Sequence, residues 1–87
     1  MKISYTSFDY KACDTVPVIA SFDAEGHIKP LYVRIQDTPY KIDSYWIKSQ
    51  YANSTEFFCK VINRDKLTPL SLTYHAEEGV WTMPVIE

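Results

Sequence analysis

Phe57-Phe58-Cys59-Lys60-Val61-Ile62-Asn63-Arg64-Asp65-Lys66-Leu67-Thr68-Pro69-Leu70-Ser71-Leu72-Thr73-Tyr74 decides the fold class. β-Branched and aromatic residues dominate both arms, and the polar string Asn63-Arg64-Asp65-Lys66 divides them as a turn divides a hairpin. A tight turn at Arg64-Asp65 sets Val61 beside Thr68, Cys59 beside Leu70 and Phe57 beside Leu72. Phe58, Lys60, Ser71 and Thr73 then share the opposite face, because residues facing each other across a hairpin point the same way. One apolar and one mostly polar face is the pattern of a half-buried antiparallel pair.

Outward from this hairpin, other turns divide the chain at similar intervals. Asp23-Ala24-Glu25-Gly26 and Ala76-Glu77-Glu78-Gly79 read as type I turns followed by a glycine of positive φ, and Gln36-Asp37-Thr38-Pro39 is a third turn signal. Six strands are predicted, over 16–22, 27–36, 40–48, 56–63, 67–75 and 80–86. Residues 49–55 read as a connection between two three-stranded groups. Placing Ile35 opposite Tyr40 sets Val33 by Ile42 and Leu31 by Ser44, which leaves Tyr32, Arg34, Lys41, Asp43 and Tyr45 on the other face. Ile28 and Leu31 are three apart, so Pro30 between them predicts a bulge or sharp bend. At the last turn, a glycine bulge sends Trp81 and Met83 outward, whereas plain pairing puts them opposite Tyr74 and Leu72; both remain open. Residues 1–15 are poorly defined: Ile3 and Tyr5 alternate as in a strand, while 7–13 fits one helical turn or a loop.

Prolines at 17, 30, 39, 69 and 84 cannot donate to a ladder, so several strands must be edges or carry bulges. The expectation is an all-β, single antiparallel domain over 1–87, closed as a small barrel or as two packed three-stranded sheets, with the barrel-like form preferred. At 87 residues there is room for one core only. A hydrophobic fraction of 46%, with four Phe, seven Tyr and two Trp, excludes intrinsic disorder. The net charge of −2 argues against a surface that wraps a phosphate backbone as a whole and leaves localised binding by one face. With no signal-peptide pattern at the N-terminus and no apolar run of membrane-spanning length, a cytoplasmic location is expected.

The run Gly26-His27-Ile28-Lys29-Pro30-Leu31-Tyr32-Val33, then Phe57-Phe58-Cys59-Lys60-Val61, then Leu70-Ser71-Leu72-Thr73-Tyr74 followed by Trp81, resembles a group of short uncharacterised proteins from Gram-positive gut bacteria. The resemblance covers roughly residues 16–82 and rests on a hairpin glycine, a Gly-x-Ile-x-Pro segment and strand patterns. It implies a compact β domain and brings no activity, cofactor or catalytic residue.

Reactive groups are sparse. Cys13, Cys59, His27 and His75 include no close ligand pair of the kind that preorganises structural zinc, and alternation aims Cys59 at the core. Asp14 beside Cys13 disfavours a thiolate, and Glu25, Glu77 and Glu78 read as solvated turn residues. Two isolated glycines cannot form a phosphate loop. No catalytic residue, metal or cofactor is expected. The surface of interest is the outward sheet face where Tyr32, Arg34, Lys41, Tyr45, Phe58 and Lys60 interleave aromatic and basic groups. The leading expectation is a non-enzymatic module for protein interaction or self-association through this face or an exposed edge. The alternative is a small-barrel nucleic-acid-binding protein that stacks bases on the same aromatics.

Overall fold

The computed structural model of the chain describes residues 13–84. Seven antiparallel strands follow in chain order: β1 (Cys13–Val16), β2 (Val18–Phe22), β3 (Ile28–Ile35), β4 (Thr38–Tyr51), β5 (Ser54–Asn63), β6 (Lys66–His75) and β7 (Val80–Pro84). Their order in the sheet is β1-β7-β6-β5-β4-β3-β2. The two ends of that order, β1 and β2, are separated in sequence by Pro17 alone, so the sheet must curl until its edges meet. The result is an all-β half-barrel, one curled sheet rather than two packed ones. At the switch the Pro17 carbonyl accepts a hydrogen bond from the Arg34 N–H at 3.0 Å. A residue with no donor of its own suits the point where a strand changes partners, from β7 to β3. The strand expected over 16–22 therefore begins earlier and counts as two.

The β5–β6 hairpin has the expected register, with Phe57 opposite Leu72, Cys59 opposite Leu70 and Val61 opposite Thr68. Its turn residues Arg64 and Asp65 have φ of 53° and 68°, the left-handed pair of a type I′ turn. The β3–β4 hairpin repeats this device with Gln36 and Asp37, at 52° and 67°. Ile35 consequently faces Thr38 and Val33 faces Tyr40, not Ile42. The shift from the expected pairing is two residues, an even number, so Val33, Tyr40 and Ile42 still face inward. Pro39 is a strand residue opposite Arg34, in the stretch of β4 before pairing with β5 starts at Ile42. L-residues in left-handed backbone cost about 1–2 kcal/mol each, and a glycine returns part of the gain through its floppier unfolded state. The double change Arg64→Asn, Asp65→Gly is expected to stabilise by about 0.5–1 kcal/mol and raise Tm by roughly 4 °C in a thermal melt. A lower Tm would contradict the turn assignment.

Residues 49–55 are not a long connection. β4 and β5 run on to a two-residue turn at Ala52-Asn53, with Tyr51 opposite Ser54, and the Asn53 carbonyl accepts from the Ala76 N–H at 2.9 Å. β4 carries two register shifts, one between Ile42 and Ser44 and one between Ile47 and Ser49, so Asp43 and Lys48 are extra residues. Bulges bend a strand and sharpen its twist, which is how a strand of 14 residues follows the curl. The bulge expected near Pro30 is present as well: Ile19 faces Tyr32 and Ala20 faces Pro30, leaving Leu31 as the extra residue. Leu31 thus does not face Ser44 as expected.

The concave face holds the core of Val33, Ile42, Phe57, Cys59, Val61, Leu72, Trp81 and Met83. Trp81 faces Tyr74, which decides the open question at the last turn in favour of plain pairing. The glycine there closes a wider turn: Gly79, at φ 70°, donates to the His75 carbonyl at 2.8 Å. Aromatic rings run across the core in a row, Tyr45 to Phe57 at 5.9 Å, Phe57 to Trp81 at 5.5 Å, Trp81 to Tyr74 at 5.1 Å and Tyr74 to Phe22 at 5.7 Å. The last contact joins β6 to β2 and so helps to draw the two ends of the sheet together. The suggested extra strand at Ile3 and Tyr5, and most of the 7–13 segment, lie outside the described residues.

Candidate functional site

The convex face follows from the same alternation that builds the core. Along β5, inward Phe57, Cys59 and Val61 alternate with outward Phe58, Lys60 and Ile62. On β3, Tyr32 is 41% exposed and pairs directly with Lys41 of β4, while Arg34, also exposed, pairs with Pro39. Five of the six expected site residues, Tyr32, Arg34, Lys41, Phe58 and Lys60, are therefore outward.

Tyr45 is not. The extra residue Asp43 inverts the alternation beyond it, so Tyr45 pairs with Cys59 on the concave side and packs edge-on against Phe57. Trp46 takes the outward place. It sits opposite Phe58 with ring centroids 4.9 Å apart and an interplanar angle of 46°, and it remains 48% exposed. The signal that finds it is the spacing of Ile42 and Tyr45, three apart like Ile28 and Leu31, which a regular strand cannot place on one face. Farther along the same face Ile62 and Leu67 form a directly paired, exposed aliphatic couple at 39% and 54%.

Among the described residues, Arg34, Lys41 and Lys60 enter no ion pair, and Asp43 neutralises none of them. The convex face thus combines an aromatic pair, an aliphatic pair and cations that form no ion pair among the described residues.

The reactive residues are dispersed. Cys59 is wholly buried in the middle of β5, and burial pushes its thiol up to about 11. His75, at the end of β6, shares a 2.9 Å hydrogen bond with the Thr82 hydroxyl. Asp23, Glu25 and His27 do converge, with ligand-type atoms within 4.8 Å of one another, but all three are exposed and belong to one turn. The Asp23 carboxylate accepts from the backbone N–H groups of Glu25 at 2.9 Å and His27 at 2.8 Å, and contacts His27 Nδ1 at 2.9 Å. The Gly26 N–H donates to the Asp23 carbonyl at 3.1 Å and Gly26 has φ 87°, the expected type I turn with its glycine. The cluster is accounted for as a turn-closing network.

Those bonds, led by the one from the His27 N–H, hold the Asp23 carboxyl below its usual value of 3.8. A depressed carboxyl stabilises the fold above its unfolded pKa, and the contribution fades as pH falls through the lower folded one. Asp23→Asn should therefore melt below the parent protein at pH 7, and the gap should close below about pH 3.8. A gap that persists unchanged in acid would sink this assignment.

Grooves flank Pro17, where the edges of the sheet meet. One of about 670 Å³ lies between β2 and the β6–β7 turn, and one of about 520 Å³ lies between β1 and the β3–β4 turn. Compared with protein-family models, curated proteins and solved structures, the chain matches none of them.

Proposed function

We propose that the chain is a non-enzymatic interaction module that binds another protein, or a second copy of itself, through the convex face of β4, β5 and β6. The observation that carries this reading is the outward Trp46–Phe58 pair, a large aromatic surface left in water beside the exposed Ile62–Leu67 couple. Aromatic anchors surrounded by smaller apolar contacts are the usual energetic centre of a protein interface, and removing one costs about 2–4 kcal/mol of binding. Sedimentation velocity over a range of concentrations, together with pull-down from the native lysate, tests it. Association or capture by the parent protein, weakened in the double variant Trp46→Ser, Leu67→Ser, is expected. A strictly monomeric protein that captures nothing would overturn the reading.

A second reading, single-stranded nucleic-acid binding, is favoured by one observation: Lys41 opposite Tyr32, and Lys60 two residues from Phe58, are cations without acidic partners among the described residues, beside aromatic residues. Stacking flanked by free cations suits a sequence-tolerant single-strand site. Titration of labelled single strands decides it: binding that weakens with salt and is lost in Tyr32→Ala or Lys60→Ala supports it, and no binding at low salt ends it.

A further inference from the structure

The edge of β2 that has no partner among the described residues is built differently from the convex face. Hydrogen-bonded and non-bonded pairs alternate along an antiparallel ladder. The bond from Arg34 N–H to the Pro17 carbonyl and the bond from Asp23 N–H to the His27 carbonyl fix the phase at either end of β2. Counting inward, with the bulge at Leu31 allowed for, Ile19 and Ser21 bond to β3, while the backbone groups of Val18, Ala20 and Phe22 point away from it. The same phase explains how Pro30 is tolerated in a paired strand: it stands in a non-bonded position opposite Ala20, and β3 does not meet β4 until Tyr32.

Among the described residues β2 pairs only with β3, and Val18, Ala20 and Phe22 are among the residues that line the groove of about 670 Å³. Proteins usually blunt such an edge with a lysine, a proline or an inward charge. The strand Val18-Ile19-Ala20-Ser21-Phe22 has none of these. Among the described residues the groove beside it has no charged side chain in its wall, which is formed mainly by Val16, Val18, Ala20, Phe22, Tyr74 and Trp81. Phe22 is 55% exposed there even though its ring touches Tyr74.

We propose that this groove is a docking site for an extended, uncharged peptide segment of a partner protein, which adds to β2 as a further strand. Directed backbone donors and acceptors select an extended chain, and the neutral apolar wall selects its side chains. A charged group placed there would lose water and gain no partner. Alternate apolar residues of the incoming strand would cover Phe22 and Tyr74. The site is separate from the Trp46–Phe58 face and stands or falls independently of it.

The test uses the full chain, isotope-labelled, and a blocked seven-residue peptide of alternating threonine and valine with a central phenylalanine. Two isomers N-methylated at either set of alternate residues serve as controls. Saturable amide shifts and slowed exchange concentrated at Val18, Ala20 and Phe22 are expected. One N-methyl isomer should bind about tenfold more weakly or worse, as the loss of backbone hydrogen bonds requires. Ala20→Pro removes a groove-facing donor without touching the bonds to β3 and should weaken binding similarly. If that variant does not fold, Phe22→Glu should do the same by placing charge in the groove. The proposal is overturned by the absence of binding at millimolar peptide, or by equal binding of both N-methyl isomers and the parent peptide. It is also overturned if the three amides are already protected in the dilute free protein, which would give the edge to the chain's own residues 1–12. Protection that grows with protein concentration alone would give it to a second copy and equally overturn the proposal.

Discussion

Phe57→Ala is expected to destabilise the protein by about 3–5 kcal/mol, whereas Phe58→Ala, one residue on, should cost about 1 kcal/mol. Phe57 has no exposed surface, faces Leu72 across the β5–β6 ladder and lies between the rings of Tyr45 and Trp81. Removing it opens a cavity in the middle of the aromatic row, where rigid strands on both sides limit collapse. Phe58 packs on Trp46 at the surface, so its loss leaves water where a ring had been. A domain of this size has about 5–10 kcal/mol of stability in all, so Phe57→Ala should lower the urea midpoint by a third or more. Equal losses from the two variants would mean that β5 does not present the faces described.

Cys59 should be nearly inert to thiol reagents in the folded protein. Its side chain is wholly buried, and desolvation disfavours the thiolate, raising the thiol from about 9 to about 11. That change alone reduces the thiolate near pH 8 about 100-fold, since each pKa unit is a factor of ten. In a Cys13→Ser protein, alkylation at pH 8 is expected to be at least about 100-fold slower without urea than in it. Because the neutral thiol is the favoured form, its contribution to stability is complete below about pH 9 and is lost as pH rises through about 11. Comparable rates in native buffer and in urea would show that Cys59 is not enclosed as described.

Local chemistry made part of this fold legible and concealed the rest. The β5–β6 hairpin was readable because Asn63-Arg64-Asp65-Lys66 leaves one short turn that keeps the apolar residues of both arms together. At β3–β4, Pro39 imitates a turn residue, and the pairing is displaced by two; an even displacement leaves every face intact, so the core could still be inferred. The bulge at Asp43 adds one residue, an odd displacement, and exchanges Tyr45 with Trp46. Nothing in composition opposes that exchange, because tyrosine is at home on either face. The turn at Ala52-Asn53 has no glycine, so the sequence reads β4 and β5 as ending short of it. β1 is not legible in the sequence because Asp14 and Thr15 break any apolar alternation, and its place depends on a partner, β7, almost seventy residues away in sequence. Alternation alone places Tyr32, Arg34, Lys41, Phe58 and Lys60 on the outward face, where they are; Trp46 is found only when the three-residue spacing of Ile42 and Tyr45 is read as a bulge, because a bulge is a property of pairing.

The exchange of Tyr45 and Trp46 underlies both the core and the proposed interaction face, and tryptophan fluorescence tests it directly. The chain has two tryptophans, Trp46 and Trp81. In a Trp81→Phe protein at low micromolar concentration, the remaining Trp46 is predicted to emit at long wavelength and to be readily quenched by iodide, in keeping with its 48% exposure. In the reciprocal Trp46→Phe protein, Trp81, at 6% exposure, is predicted to emit at short wavelength and to resist quenching. A short-wavelength, quench-resistant Trp46 in the folded monomer would contradict the bulge at Asp43, and with it the face on which the proposed function rests.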